Sequence, residues 1–111
     1  MKYIKIKFKI LNKPWTLRLM TRKEFKRKHG AQFLAVTQVH KRRIDAKPSG
    51  FDEETLVHEL FHAFTSELCV HSTTLDHDNY EEFAAELVSK RGKEMLKLGK
   101  LLSKKAYQKT S

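Results

Sequence analysis

Apolar and basic residues alternate strictly near the start of the chain, in the order Ile4, Lys5, Ile6, Lys7, Phe8, Lys9 and Ile10. In a β-strand successive side chains point to opposite faces, so this period of two predicts a strand with one buried and one solvent-facing side. A turn signal follows at residues 11–14, and residues 15–19 resume the alternation. The pattern therefore predicts a β-hairpin.

The next segment predicts a short helix and two further strands. Thr21 and Glu24 have the spacing of a capping box, and Gly30 is a typical helix stop, so a short basic helix is expected between them. Residues 32–39 are rich in apolar and β-branched side chains and predict a third strand. Residues 42–47 alternate again and predict a short fourth strand.

Two helices are expected in the rest of the chain. Asp52 is the predicted N-cap of the first helix, which should run to about residue 69. Residues 70–78 are polar and read as a loop. A second helix is predicted over residues 79–98 from its apolar periodicity, and residues 100–111 are expected to form a flexible basic tail.

Length and composition agree with one domain over residues 1–111. The chain is 40% hydrophobic and 32% charged, which is normal for a small globular protein. The predicted fold class is α+β, with a small mixed or antiparallel sheet of about four strands. The two predicted helices should pack on this sheet.

The net charge indicates which class of partner the protein could bind, and the number of cysteines indicates its cellular compartment. The net charge of +10 favours acidic partners, among which nucleic acid stays open. No apolar run approaches the length of a membrane span. Cys69 is the single cysteine, so no intramolecular disulfide can form, which fits a reducing compartment. We therefore expect a cytoplasmic protein.

The motif with the clearest chemistry is His58-Glu59-Leu60-Phe61-His62, which lies within the first of the two long helices. Residues four apart share a helix face, so both imidazoles can reach one metal ion. Glu59 lies beside them, where it can act on a metal-bound water. The spacing predicts a catalytic zinc site with one Zn²⁺ per chain.

A catalytic zinc needs a third protein ligand. Glu82 is the first candidate, because it lies opposite the predicted apolar face of the second helix, and Glu86 one turn later could orient a ligand imidazole. Glu81 is the alternative ligand on the same helix, since the rotation of the helix cannot be read from the pattern. His77 and His71 lie in the predicted loop and are further alternatives.

The motif at 58–62, followed by Glu82-Phe83-Ala84-Ala85-Glu86, resembles the gluzincin branch of the zincin metallopeptidases. The string from Thr55 to Phe64 is also similar to small predicted metallopeptidases of phages and bacteria. Residues 82–87 resemble ImmA/IrrE-type proteins as well. Aligned on that last string, the usual glutamate ligand falls near His77, which keeps His77 open as a ligand.

The resemblance implies a zinc-dependent peptidase, an endopeptidase rather than an exopeptidase, acting on a peptide or protein substrate. Glu59 would be the general base, and Tyr80, His77 or His71 could donate to the oxyanion. The strand at 42–47 would hold the substrate in extended form. Two alternatives remain, a catalytically idle zincin used for binding and a DNA-associated protease similar to the SprT-like group.

Overall fold

The computed structural model describes residues 3–69 and 77–111 and confirms the α+β class. It contains four strands and three helices: β1 (Ile4–Ile10), β2 (Lys13–Leu19), α1 (Arg22–His29), β3 (Ala35–Gln38), β4 (Arg43–Ala46), α2 (Glu53–Cys69) and α3 (His77–Thr110). Short 3-10 turns at Val39–Lys41 and Pro48–Gly50 follow β3 and β4. The predicted hairpin, the short basic helix and the motif helix are therefore present.

The strands form one mixed sheet in the order β1-β2-β4-β3. β1 and β2 are antiparallel, β2 and β4 are parallel, and β4 and β3 are antiparallel. The prediction that the strand at 42–47 holds a substrate by backbone pairing is wrong, because β4 is hydrogen-bonded to β2 on one side and to β3 on the other. β3 is the edge strand instead. A tight connection with Arg42 in the left-handed region (φ 48°) returns the chain from β3 to insert β4 beside β2.

The strand register divides side chains between two faces. Ile6, Leu17, Ile44 and Thr37 form one row across the four strands. Three members of this row are buried apolar residues, and the fourth, at the β3 edge, carries a hydroxyl. The neighbouring row, on the opposite face, consists of Lys5, Arg18, Asp45 and Val36.

The hydrophobic core lies between the first face of the sheet and helices α2 and α3. Its largest buried members from the sheet and the helices are Ile10, Trp15, Leu17, Ile44, Leu56, Leu60, Phe64 and Leu102. Leu56, Leu60 and Phe64 recur at intervals of four residues, so one side of α2 enters the core. The motif histidines, His58 and His62, therefore lie on the side of α2 that faces away from this core contact.

Helix α3 differs most from its prediction. Residues 100–111 were expected to be a flexible tail, but α3 continues to Thr110, and Leu102 and Ala106 in this part are buried. Gly99 does not end the helix. A Cβ at Gly99 would clash with Cγ2 of Val57, so this glycine serves the close approach of α3 to α2. None of the described helices is both long and apolar enough to cross a membrane.

Candidate metal centre

The motif helix begins with the predicted cap. The Asp52 carboxylate accepts a hydrogen bond from the backbone N–H of Thr55 at 3.0 Å. Partial burial opposes ionisation of Asp52, but the hydrogen bonds from Thr55 outweigh it and hold the pKa of Asp52 below its ordinary value. Glu53 and Glu54 in the first turn add negative charge where the helix dipole is positive. The start of α2 is thus well defined, and the motif follows within two turns.

The two motif histidines converge on one point. Their Nε2 atoms are 3.3 Å apart, and their rings meet edge to face with centroids 4.9 Å apart. On a tetrahedral zinc with Zn–N distances of about 2.05 Å, two imidazole nitrogens lie about 3.3 Å apart. The separation therefore fits two ligands of one zinc ion. His58 is largely exposed to solvent, so the point on which the nitrogens converge is accessible.

Glu59 is held beside this pair by a residue of the edge strand. Thr37 Oγ1 donates to Glu59 Oε1 at 2.8 Å and also lies 3.2 Å from the carbonyl oxygen of Glu59. The other carboxylate oxygen, Oε2, lies 4.0 Å from His58 Nε2. One oxygen is thus anchored to β3, while the other lies near Nε2 of His58.

Thr37 is a site residue that the sequence interpretation missed. Its only sequence signal is a hydroxyl residue in a strand that is otherwise apolar at that face. This signal can be interpreted only once the pairing of the strands is known. The register extends the buried row of Leu17 and Ile44 to Thr37 and places Thr37 over α2. A pattern of alternation gives no information on which strand lies above the motif helix.

The third ligand stays a prediction. Among the described residues, no group of three His, Cys, Asp or Glu side chains is close enough to hold a metal ion. Glu82 is exposed on α3. The side chains of Glu81, His77 and Tyr80, and the whole of His71, lie outside the described residues.

Glu86, predicted to orient a ligand imidazole, has a different neighbour in the structure. Its Oε1 lies 2.6 Å from Lys90 Nζ, and both side chains are exposed. The hydrogen bond and the charge of Lys90 hold the pKa of Glu86 below its ordinary value. This is an i,i+4 pair on a solvated helix face rather than a contact with a histidine.

Two cavities meet at Glu59 and share Phe33 and Ala35. The first, of about 540 Å³, extends toward the start of α2 and is lined by Gln32, Phe33, Leu34, Ala35, Asp52, Glu54, Thr55, His58 and Glu59. The second, of about 400 Å³, is lined by His29, Phe33, Ala35, Val36, Thr37, Val39, Glu59 and His62. Because Val36 and Thr37 point to opposite faces, the second cavity wraps around the open edge of β3.

The opposite face of the sheet carries a buried charged cluster behind this edge. Arg18 donates two hydrogen bonds to Asp45, at 2.7 and 2.8 Å, and His29 Nε2 lies 2.9 Å from Asp45 Oδ2. Burial opposes ionisation of Asp45, but the hydrogen bonds from Arg18 and His29 and the charges of Arg18 and Arg43 hold its pKa below the ordinary value. The cluster ties α1, β2 and β4 together.

Comparisons with known proteins identify no relative of this chain. No family model matches the chain, and neither a curated protein nor a solved structure is significantly similar to it. The resemblance to gluzincins therefore rests on the motif at 58–62 and on residues 82–86. The geometry of His58, Glu59, His62 and Thr37 is independent of that resemblance.

Proposed function

We propose that this protein is a zinc-dependent endopeptidase. The observation that carries the proposal is the convergence of His58 and His62, with nitrogens 3.3 Å apart, beside a carboxylate that Thr37 holds in place. A structural helix has no need for an exposed histidine pair next to a buried, anchored glutamate. The same three groups in this arrangement are suited to hold a metal ion and to move a proton beside it.

Each residue has a separate role in the proposed reaction. His58 and His62 would hold the metal, with Glu82, or alternatively Glu81 or His77, as the third ligand. When bound, zinc supplies a Lewis acid and lowers the pKa of a coordinated water. Glu59 would accept the proton of that water at its Oε2 and deliver it to the amine nitrogen that leaves. Thr37 would keep Oε2 directed to this position by holding Oε1.

The substrate would lie along β3 as an added strand. The cavity of about 400 Å³ follows the open edge of β3 and reaches Glu59 and His62. A peptide in extended form pairs with such an edge through backbone hydrogen bonds, and its side chains point alternately to the two faces. Phe33 and Val39, both exposed at this edge, favour apolar side chains in the substrate. The prediction of a substrate-pairing strand thus moves from residues 42–47 to β3.

Two measurements on wild type and Glu59→Gln test the proposal. Purified wild-type protein should contain about one zinc per chain by elemental analysis and should cleave casein or a peptide library. Glu59→Gln should keep the zinc and lose hydrolysis by about a hundredfold to ten-thousandfold, because the general base is gone. Glu53→Gln, which changes an exposed carboxylate on the same helix that lines neither cavity, is the matched control and should keep activity.

The outcomes separate the alternatives. Folded wild-type protein without metal after zinc reconstitution would overturn the metal site. Zinc at full occupancy without cleavage of any peptide in the library would identify a catalytically idle zincin fold. A cytoplasmic location is part of the proposal, because the single cysteine fits a reducing compartment.

A further inference from the structure

Positive charge is distributed very unevenly along this chain. Residues 1–23 and 95–111 together contain 13 of the 23 Lys and Arg and none of the 13 Asp and Glu. Residues 24–94 contain the other 10 Lys and Arg and all 13 acids, so the segment that carries the metal-site motif is slightly acidic. The net charge of +10 therefore comes from two segments that are far apart in sequence.

The fold brings these two segments together at the β1 edge of the sheet. Helix α3 packs against β1, and a cavity of about 430 Å³ is lined there by Lys5, Ile6, Lys7, Lys105, Gln108 and Lys109. Lys9 continues the exposed row along β1. We call this set of five lysines the basic edge.

Acidic side chains do not neutralise the basic edge within the described part of the chain. The ion pairs recorded there join acids to arginines, histidines and Lys90. The contact of Lys7 Nζ is a hydrogen bond to the Thr16 hydroxyl at 3.2 Å, which leaves its charge uncompensated. Like charges held close together repel, and an anionic partner would relieve that repulsion.

We propose that the basic edge binds the phosphate backbone of a nucleic acid. Lys5, Lys7 and Lys9 form a straight row of about 13 Å, since a strand rises about 3.3 Å per residue. Over that length of the helix axis, one DNA strand presents about four phosphates. Lys105 and Lys109 of α3 lie beside this row and extend the positive surface around the sheet edge. The surface therefore matches a linear polyanion with many regularly spaced charges.

This surface is separate from the proposed active site. β1 and β3 are the two outer strands, and three strand spacings of about 4.8 Å place them about 14 Å apart. The basic edge and the cleft at β3 therefore lie at opposite edges of the sheet. The binding proposal does not depend on the peptidase proposal.

Fluorescence anisotropy with a labelled 20-base-pair DNA duplex tests the proposal. The combined variant Lys5→Gln, Lys7→Gln and Lys109→Gln should bind at least about tenfold more weakly than wild type at 50 mM salt. Its slope of log affinity against log salt should be shallower by about 2.7, because each lost phosphate contact changes the slope by about 0.9. The control Lys26→Gln, Lys41→Gln and Lys93→Gln removes three exposed lysines elsewhere and should weaken binding less than about threefold.

The possible results decide the proposal in either direction. Equal losses in the two triple variants would show a response to net charge alone and would overturn the assignment to the basic edge. Absence of binding by wild type at 50 mM salt would also overturn it, as would phosphatidylserine vesicles binding in preference to DNA. Circular dichroism confirms that each variant is folded. Glu59→Gln should bind DNA as wild type does, which separates this result from the outcome at the metal site.

Discussion

The two edge strands of the sheet are built in opposite ways. On both edges a cavity wraps around the outer strand. At β1 the cavity is lined mainly by lysines, and the strand alternates Lys with apolar residues that are buried or partly buried from Ile6 onward. At β3 the strand reads Ala-Val-Thr-Gln, without a charged residue, and its cavity includes Glu59 and His62.

The difference shows which edge is available to a peptide. An edge strand presents unpaired backbone groups and invites another strand, and lysines are a common means of preventing such pairing. β1 has this protection and β3 does not. An unprotected edge is a hazard in a purely structural protein, so its position beside the histidine pair favours use as a ligand-binding edge.

The largest expected effect concerns the support behind β3. Asp45→Asn leaves Arg18 buried without its counter-charge, and we expect a loss of about 3–5 kcal/mol in the free energy of unfolding. Urea denaturation at pH 7 measures this loss. Lys7→Gln at the exposed β1 edge is the comparison and should change stability by no more than about 0.5 kcal/mol. Equal losses in the free energy of unfolding for Asp45→Asn and Lys7→Gln would contradict this difference between the two edges.

The same variant also has a defined pH dependence. The pKa of Asp45 is lowered in the folded state, so its stabilising contribution is complete above the unfolded value of about 3.9. The contribution is lost as the pH falls through the lower, folded pKa. The stability difference between wild type and Asp45→Asn should therefore shrink in that acid range, and a constant difference down to pH 2 would contradict this prediction.

The next largest effect distinguishes Thr37, on the β3 edge, from Thr16, which accepts a hydrogen bond from Lys7 on the β1 edge. Thr37→Val removes the hydrogen bond to Glu59 and should lower kcat by about tenfold to a hundredfold through misplacement of the carboxylate, with KM little changed. Thr16→Val removes the hydrogen bond from Lys7 and should leave kcat unchanged. Thr37→Ser keeps the hydroxyl and should restore most of the rate. Equal kcat values for Thr37→Ser and Thr37→Val would show that Thr37 does not position Glu59.

The smallest effect compares two exposed apolar residues, Phe33 near β3 and Ile4 on β1, which are 46% and 41% exposed. Their substitution by serine should change stability by about 1 kcal/mol or less. Only Phe33→Ser should raise KM for peptides with apolar side chains, by several-fold, because Phe33 lines both cavities at Glu59. Steady-state kinetics on the two variants checks this, and a similar rise for Ile4→Ser would remove the distinction.

Local patterns predicted most of the elements correctly. Alternation identified β1 and β2 because the period of two is a local property of strand geometry. Capping identified the starts of α1 and α2, where Thr21 and Asp52 accept hydrogen bonds from backbone N–H groups three residues later. The spacing of His58 and His62 was sufficient to predict convergent imidazoles, since four residues make about one helical turn.

Gly99 shows where local reasoning failed. Glycine favours helix ends on average, and the Lys-rich segment after it resembled a tail. The structure uses Gly99 for its lack of a side chain against Val57, a contact between residues 42 positions apart in sequence. Packing outweighed local propensity there, and the buried Leu102 and Ala106 continue the helix beyond it.

The sequence by itself determined the α+β class, the position of the histidine pair and Glu59 on a helix, and the uneven distribution of charge. These follow from periods of two and 3.6 residues and from residue counts, which need no contact between distant segments. Only the tertiary structure decided that β3 is the open edge, that Thr37 holds Glu59, and that the lysines of residues 1–23 and 95–111 meet at one edge. Each of these depends on strand order and helix packing, which are set by non-local contacts that a linear pattern does not encode.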